Sequence, residues 1–167
     1  MARTRKRIRT PLSERFPPSA ACTCETCVGY CQRPGWWTVD EASRAIAAGY
    51  APKMMLEMSP DRSYGVLSPA FRGCEVDFAR QIFVGQGCTF LEDQRCILYG
   101  SGFQPIECRH CHHAAPESGR QCHQAVGEDW NSPQGRDLVV AWSKLTGFWE
   151  RTGRVVQHPR EQKKHSP

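Results

Sequence analysis

The chain has 167 residues, of which 40% are hydrophobic and 23% charged, the make-up of a single soluble globular domain and not of a collagen-like or wholly disordered protein. It is too short for a (β/α)8 barrel, which takes roughly 200 residues or more, and no run approaches the roughly 18 apolar residues of a membrane span, so an integral membrane protein is not expected. Residues 1–15 carry a balance of +5 and residues 151–167 one of +4, while the stretch between them carries −4: a mildly acidic body with two basic tails.

Residues 1–20, rich in Arg, Pro and Ser, predict a basic disordered arm. The positive start lacks the apolar core of about 7–15 residues that an export signal needs. That predicts a chain kept in the cytoplasm, where thiols rarely form lasting disulfides. A cysteine-cluster domain is expected over 21–150 and a basic disordered tail over 151–167. The domain opens on CTCETCVGYC, Cys22 to Cys31, and the turn signal Pro34-Gly35. Thr38-Val39-Asp40-Glu41 reads as a capping box. Val39, Ala42, Ala45 and Ile46 then share one helical face, and Gly49 reads as the stop.

A second short helix is expected from Pro52, carrying Met54, Met55, Leu56 and Met58 into the core, with Ser59-Pro60-Asp61 ending it. Residues 61–87 hold Gly65, Pro69, Gly73, Gly85 and Gly87, which predicts loops around Cys74 with one short element near Val76–Val84. Thr89-Phe90-Leu91 and Cys96-Ile97-Leu98-Tyr99 bracket polar Glu92-Asp93-Gln94-Arg95 in a β-hairpin pattern. Ser132-Pro133 opens a last helix with Leu138, Val139, Trp142 and Leu145 as its apolar stripe and Gly147 as its end. The expected fold is a small, irregular α+β cysteine-rich domain with short helices and a β-hairpin. Its many loops predict thin hydrophobic burial, with bound metal organising the core.

Ten cysteines are the dominant feature. In a reducing compartment they point to metal or redox chemistry before a disulfide framework. Cys24, Cys27 and Cys31 have C-x2-C-x3-C spacing: a two-residue gap lets two thiolates bend around one ion, and the third closes another face of a tetrahedron. Cys108 and Cys111 repeat the two-residue gap, with Cys74, Cys88, Cys96 and Cys122 between or beyond. These nine are the candidate metal ligands; Cys22, beside the arm, reads as a spare thiol.

The order CETCVGYC, a Thr-Val-Asp-Glu helix start, GCTFLEDQRCILYG and QPIECR resembles the YkgJ-like cysteine-cluster family, described as a zinc- or iron-chelating domain. The resemblance covers roughly residues 24–113. It implies Cys24, Cys27, Cys31, Cys88, Cys96 and Cys108 as ligands. The family commonly pairs cysteines after its first knuckle, where this chain has Gln32, and Gln104 stands in place of its arginine. Cys74, Cys111 and Cys122 are additions, so the resemblance leaves the partition of ligands open.

Nine thiols exceed one four-thiolate site, and eight would fill two, as zinc sites or iron–sulfur clusters. Histidines at 110, 112 and 113, and at 123 near Cys122, tilt the reading toward zinc, although His112 and His113 also read as a polar surface run. Arg95 and Arg109 adjoin Cys96 and Cys108 and are candidates to offset thiolate charge. The arm RTRKRIR suits a phosphate backbone or an acidic protein, and Trp36 and Trp37 could stack on bases. No nucleophile elbow, phosphate loop, dinucleotide fingerprint or H-E-x-x-H helix is present in the sequence, and an enzyme built on an open metal site stays a separate possibility.

Overall fold

The structure, a computed structural model, describes residues 10–153. The RTRKRIR run and most of the basic tail lie outside the described residues, and with them the expected grip on phosphate or an acidic partner. The chain folds as α+β, with seven helices and two antiparallel hairpins among the described residues.

The arm predicted over 1–20 is corrected over its last part. Helix α1, Leu12–Arg15, is followed by Phe16, which is only 6% exposed and belongs to the main core. Beyond it the chain is tied to the end of helix α4, Ile106–His110. The Ser19 amide donates to the Arg109 carbonyl at 2.8 Å and the Ser19 hydroxyl to the His110 carbonyl at 2.5 Å. The Pro17 carbonyl can only accept, so His110 Nδ1, 2.8 Å away, carries the ring proton and Nε2 accepts from the Ser118 hydroxyl. His110, read as a possible donor to sulfur, is thus spent on holding this segment.

Helix α2, Glu25–Tyr30, comes from the cysteine knuckle, and α3, Val39–Ala47, starts on the predicted capping box. Thr38 Oγ1 accepts from the Glu41 amide and Glu41 Oε2 from the Thr38 amide, both at 3.1 Å. Glu41 is 8% exposed and does more than cap. Its Oε2 also accepts from the Ile106 amide, and its Oε1 pairs with Arg109 at 2.6 Å. Arg109 therefore serves the α3–α4 junction, and its charge also draws the Cys122 pKa down against the larger effect of burial. Removing this carboxylate breaks its pair with the partly exposed Arg109 and leaves the Thr38 and Ile106 amides without their acceptor, so Glu41→Ala should cost about 2 kcal/mol, read as a lower urea midpoint at unchanged m-value.

The helix expected from Pro52 is a strand. Pro52 sits in a 3₁₀ turn, Ala51–Lys53, and the chain then extends as β1, Met54–Met58, paired antiparallel with β2, Gly65–Pro69, in the register Leu56↔Leu67. The period-2 alternation of a strand separates the side chains. Met54 and Leu56 enter the main core, while Met55 joins Ala70, Phe71 and Cys74 in a small second one. The predicted second hairpin is present with shorter strands: β3, Leu91–Glu92, pairs with β4, Arg95–Cys96. Asp93 and Gln94 both take positive φ, 44° and 62°, as a two-residue turn of this kind requires.

Helix α5, Pro116–Trp130, is not anticipated by the sequence reading; α6, Pro133–Thr146, is, and Gly147 at φ 65° separates it from α7, Phe148–Thr152. The expectation of an under-packed body is overturned. Trp37, Trp130, Trp142, Phe90 and Phe148 are fully enclosed in one cluster. Each enclosed indole N–H has an acceptor: Trp37 donates to Phe103, Trp130 to Trp37 and Trp142 to Ala51, all to backbone carbonyls. Burial of that aromatic surface supplies a hydrophobic core of ordinary kind for the body. Trp36 and Trp37 are 5% and 0% exposed, so neither offers the face for a base that the sequence suggested.

Candidate metal centre

The turn that follows α4 carries His112 and His113, whose rings lie 4.3 Å apart. Because Phe16, Pro17 and Ser19 anchor the incoming chain on His110 and Arg109, Cys22 and the start of α2 are delivered to that same turn. Cys24 occupies the N-cap position of α2 and Cys27 lies in its first turn. Four donor atoms, the sulfurs of Cys22, Cys24 and Cys27 and a ring nitrogen of His113, all fall within 4.8 Å of one another, and this is the only such group among the described residues. The group can hold a metal ion.

The geometry is specific. Nδ1 of His113 stands 3.6, 3.4 and 3.4 Å from the sulfurs of Cys22, Cys24 and Cys27. One ring nitrogen has a single lone pair or a single proton, so it cannot bond three thiols at once. It can form the apex of a tetrahedron. Zinc–sulfur bonds of about 2.3 Å and zinc–nitrogen bonds of about 2.0–2.1 Å at the tetrahedral angle put N and S about 3.5 Å apart. The site lies at the surface, with Cys24 and His113 exposed and the other two sulfurs partly covered. The Cys27 amide, then the Cys22 side chain, draw the Cys24 pKa down. The His113 amide pulls Cys27 down as well, yet desolvation and its thiol neighbours carry it above its ordinary value.

Cys22, read as a spare thiol, is part of this group, and His113, for which a polar surface run was the bland reading, completes it. The other predicted ligands are distributed elsewhere. Cys31, Cys88, Cys96 and Cys108 are all partly buried and lie at the junction of the knuckle, the second hairpin and α4. Cys111 is near enough to Cys27 to be repelled by it, although burial is the larger reason its pKa rises. Cys122 is enclosed in the main core, where burial pushes its thiol up to about 12, and Cys74 is enclosed in the second cluster. All ten cysteines are among the described residues and carry free thiols.

His123 leans on Trp36, ring centroids 4.1 Å apart, and its Nδ1 meets Glu107 Oε1 at 2.9 Å. That hydrogen bond raises its pKa. Glu107 Oε2 also accepts from the Trp36 amide, so the carboxylate is held between the knuckle and α5. These groups border an open cleft of about 870 Å³ whose wall includes Arg33, Glu57, Cys108 and Cys111.

No described helix is long and apolar enough to cross a membrane. Compared with protein-family models, curated proteins and solved structures, the chain finds no match.

Proposed function

We propose that this protein is a zinc-binding protein whose Cys22, Cys24, Cys27 and His113 hold one ion as a structural clamp. The observation that supports the reading is the convergence of three sulfurs on one imidazole nitrogen at tetrahedral-edge distances. Three thiolates and a neutral imidazole are a common zinc donor set, and four protein donors leave no open coordination position, which favours a structural role over a catalytic one. The ion would join the N-terminal segment to the α4–α5 turn, two pieces of chain about ninety positions apart. Free thiols suit a reducing compartment. The YkgJ-like resemblance belongs to the same proposal, with its ligand set extended to Cys22 and His113.

Metal analysis of the full chain tests it. Wild type should carry zinc at this centre, with a cobalt-substituted form showing the intense visible bands of a tetrahedral thiolate site. His113→Ala and Cys24→Ser should each lose one equivalent of metal while the body keeps its near-ultraviolet dichroism. Retention of full stoichiometry by both variants would refute the assignment.

Ser19→Ala is a milder probe. It removes one partly buried hydrogen bond that presents Cys22 to the turn, worth about 1 kcal/mol. Zinc affinity should fall by roughly fivefold with unchanged stoichiometry, measured by competition with a chromogenic chelator.

A further inference from the structure

Helix α2 has no hydrophobic hold on the body. None of its six residues is buried, and none belongs to either hydrophobic cluster. The main-chain bonds at its ends are local, from the Val28 amide to Cys24 and from the Cys31 amide to Val28, and a helix this short is marginal in water by itself. Contact with distant chain comes through sulfur: Cys24 at its N-cap and Cys27 in its first turn each meet His113 Nδ1 at 3.4 Å. The clamp therefore latches α2 to the α4–α5 turn. At the far end of the helix, Gly29 and Tyr30 form part of the wall of the open cleft, whose lining also includes Trp36, Glu107 and His123.

The latch is open to solvent, and two of its sulfurs are placed to bond each other. Cys24 is exposed and Cys27 partly covered. They stand three positions apart at the start of a helix, the spacing that puts side chains on one face. Their sulfurs lie within 4.8 Å of each other, so a closure of less than about 3 Å reaches the roughly 2.05 Å of a disulfide bond. By contrast, Cys74 and Cys122 are 0% exposed and out of reach of a dissolved oxidant.

We propose that Cys24 and Cys27 are a peroxide-sensitive pair, whose oxidation to a disulfide releases the ion, frees α2 from the α4–α5 turn and takes part of the wall off the cleft. This rests on the zinc reading above and adds its regulation. The Cys24 sulfur attacks one oxygen of hydrogen peroxide; the O–O bond breaks, and the leaving hydroxide takes a proton to become water. The Cys27 sulfur then attacks the Cys24 sulfenic acid, the S–O bond breaks, and a second hydroxide leaves as water. Two thiolates, two solvent protons and one peroxide become one disulfide and two waters, the sulfurs giving up the two electrons that the peroxide oxygens gain. Thiolates, not disulfide sulfurs, are the metal ligands, so the donor set falls from four to Cys22 and His113 alone. With the ion gone, α2 has lost its one tie to the turn.

The zinc-loaded full chain, treated with hydrogen peroxide, provides the test. Zinc should pass to a chromogenic chelator as non-reducing peptide mass spectrometry finds the Cys24–Cys27 disulfide, and dithiothreitol with added zinc should restore the loaded state. Amides of residues 25–30 should then exchange at least about tenfold faster, while those of α5 and α6 keep their protection. Cys74 and Cys122 should oxidise at least about tenfold more slowly than Cys24. These readouts are made on the wild-type chain, so they do not depend on any variant folding. Cys111→Ser should release zinc at the wild-type rate, because Cys111 stands outside the pair. Zinc retained under peroxide that oxidises free cysteine in the same tube would overturn the switch and leave the clamp standing, as would zinc lost with Cys27 joined to Cys111 instead. A chain that carries no zinc before treatment would remove the clamp reading and the switch with it.

Discussion

Removing the ion from the Cys22–Cys24–Cys27–His113 clamp is expected to lower the melting temperature by roughly 10 °C. The figure follows from linkage. A ligand present at a thousand times its dissociation constant stabilises the folded state by about 4 kcal/mol, and each kcal/mol moves the midpoint of a domain of this size by about 2–4 °C. The body should nevertheless remain folded, because Trp37, Trp130, Trp142, Phe90 and Phe148 are enclosed without any help from the clamp. What opens is local. Metal-free protein should exchange the amides of residues 10–31 and 111–115 much faster than those of α5 and α6, in the manner of a low-stability cooperative unit. Calorimetry and hydrogen exchange on verified metal-free chain measure both halves. An unchanged melt would remove the clamp from the stability of the fold, and global loss of protection would show that the aromatic core does not stand alone.

That core is where the sequence reading went furthest wrong, and the reasons are physical. Met54, Met55 and Leu56 form an apolar run too short for periodicity to separate helix from strand. Met and Leu favour helices, and Pro52 looks like a first helical residue. Pairing with Gly65–Pro69 decided the matter, and partner strands are not visible in a local window. Helix α5 was hidden differently. Cys122, Ala125, Val126 and Trp130 do recur at helical spacing and are buried, but Gly119 and Gly127 lie among them. Gly127 is there for packing: a Cβ on it would come within 2.8 Å of the Tyr64 hydroxyl. By contrast, the ends of α3 and α6 were legible because their signals are local. Thr38 with Glu41, and Ser132 with Pro133 and Gly147, act on groups within one turn of themselves.

The site divides along the same line. Cys24 and Cys27 announce themselves by a two-residue gap. Cys22 and His113 had only weak signals, a C-x-C step before the knuckle and a histidine pair after Cys111. Their meeting depends on Phe16, Ser19 and His110, contacts that span more than ninety positions. Sequence spacing identifies ligands that one turn of chain can deliver; it does not identify those delivered by docking of a distant segment.

Cys122 permits a second large effect to be expected, and it separates a core thiol from a ligand. Its pKa is pushed from 9.0 to about 12, first by burial and then by the charge of Glu107. A thiol that is harder to ionise when folded stabilises the protein while it stays neutral. The contribution is complete below the unfolded value of 9.0, falls as the pH rises above it, and is lost once the pH passes the folded value near 12. The full difference corresponds to at most roughly 4 kcal/mol. Metal-free chain should therefore lose stability progressively between about pH 9 and pH 12, with Cys88 adding to the loss, since burial holds it at about 12 as well. Cys122→Ala should begin about 1 kcal/mol less stable at neutral pH and show a visibly shallower alkaline decline. Urea midpoints taken across that range for both chains provide the measurement. Thiolates on a metal are already deprotonated and give no such decline. Equal alkaline slopes in wild type and variant would mean that Cys122 ionises as freely in the folded chain as in the unfolded one, and the enclosed position assigned to it would be wrong.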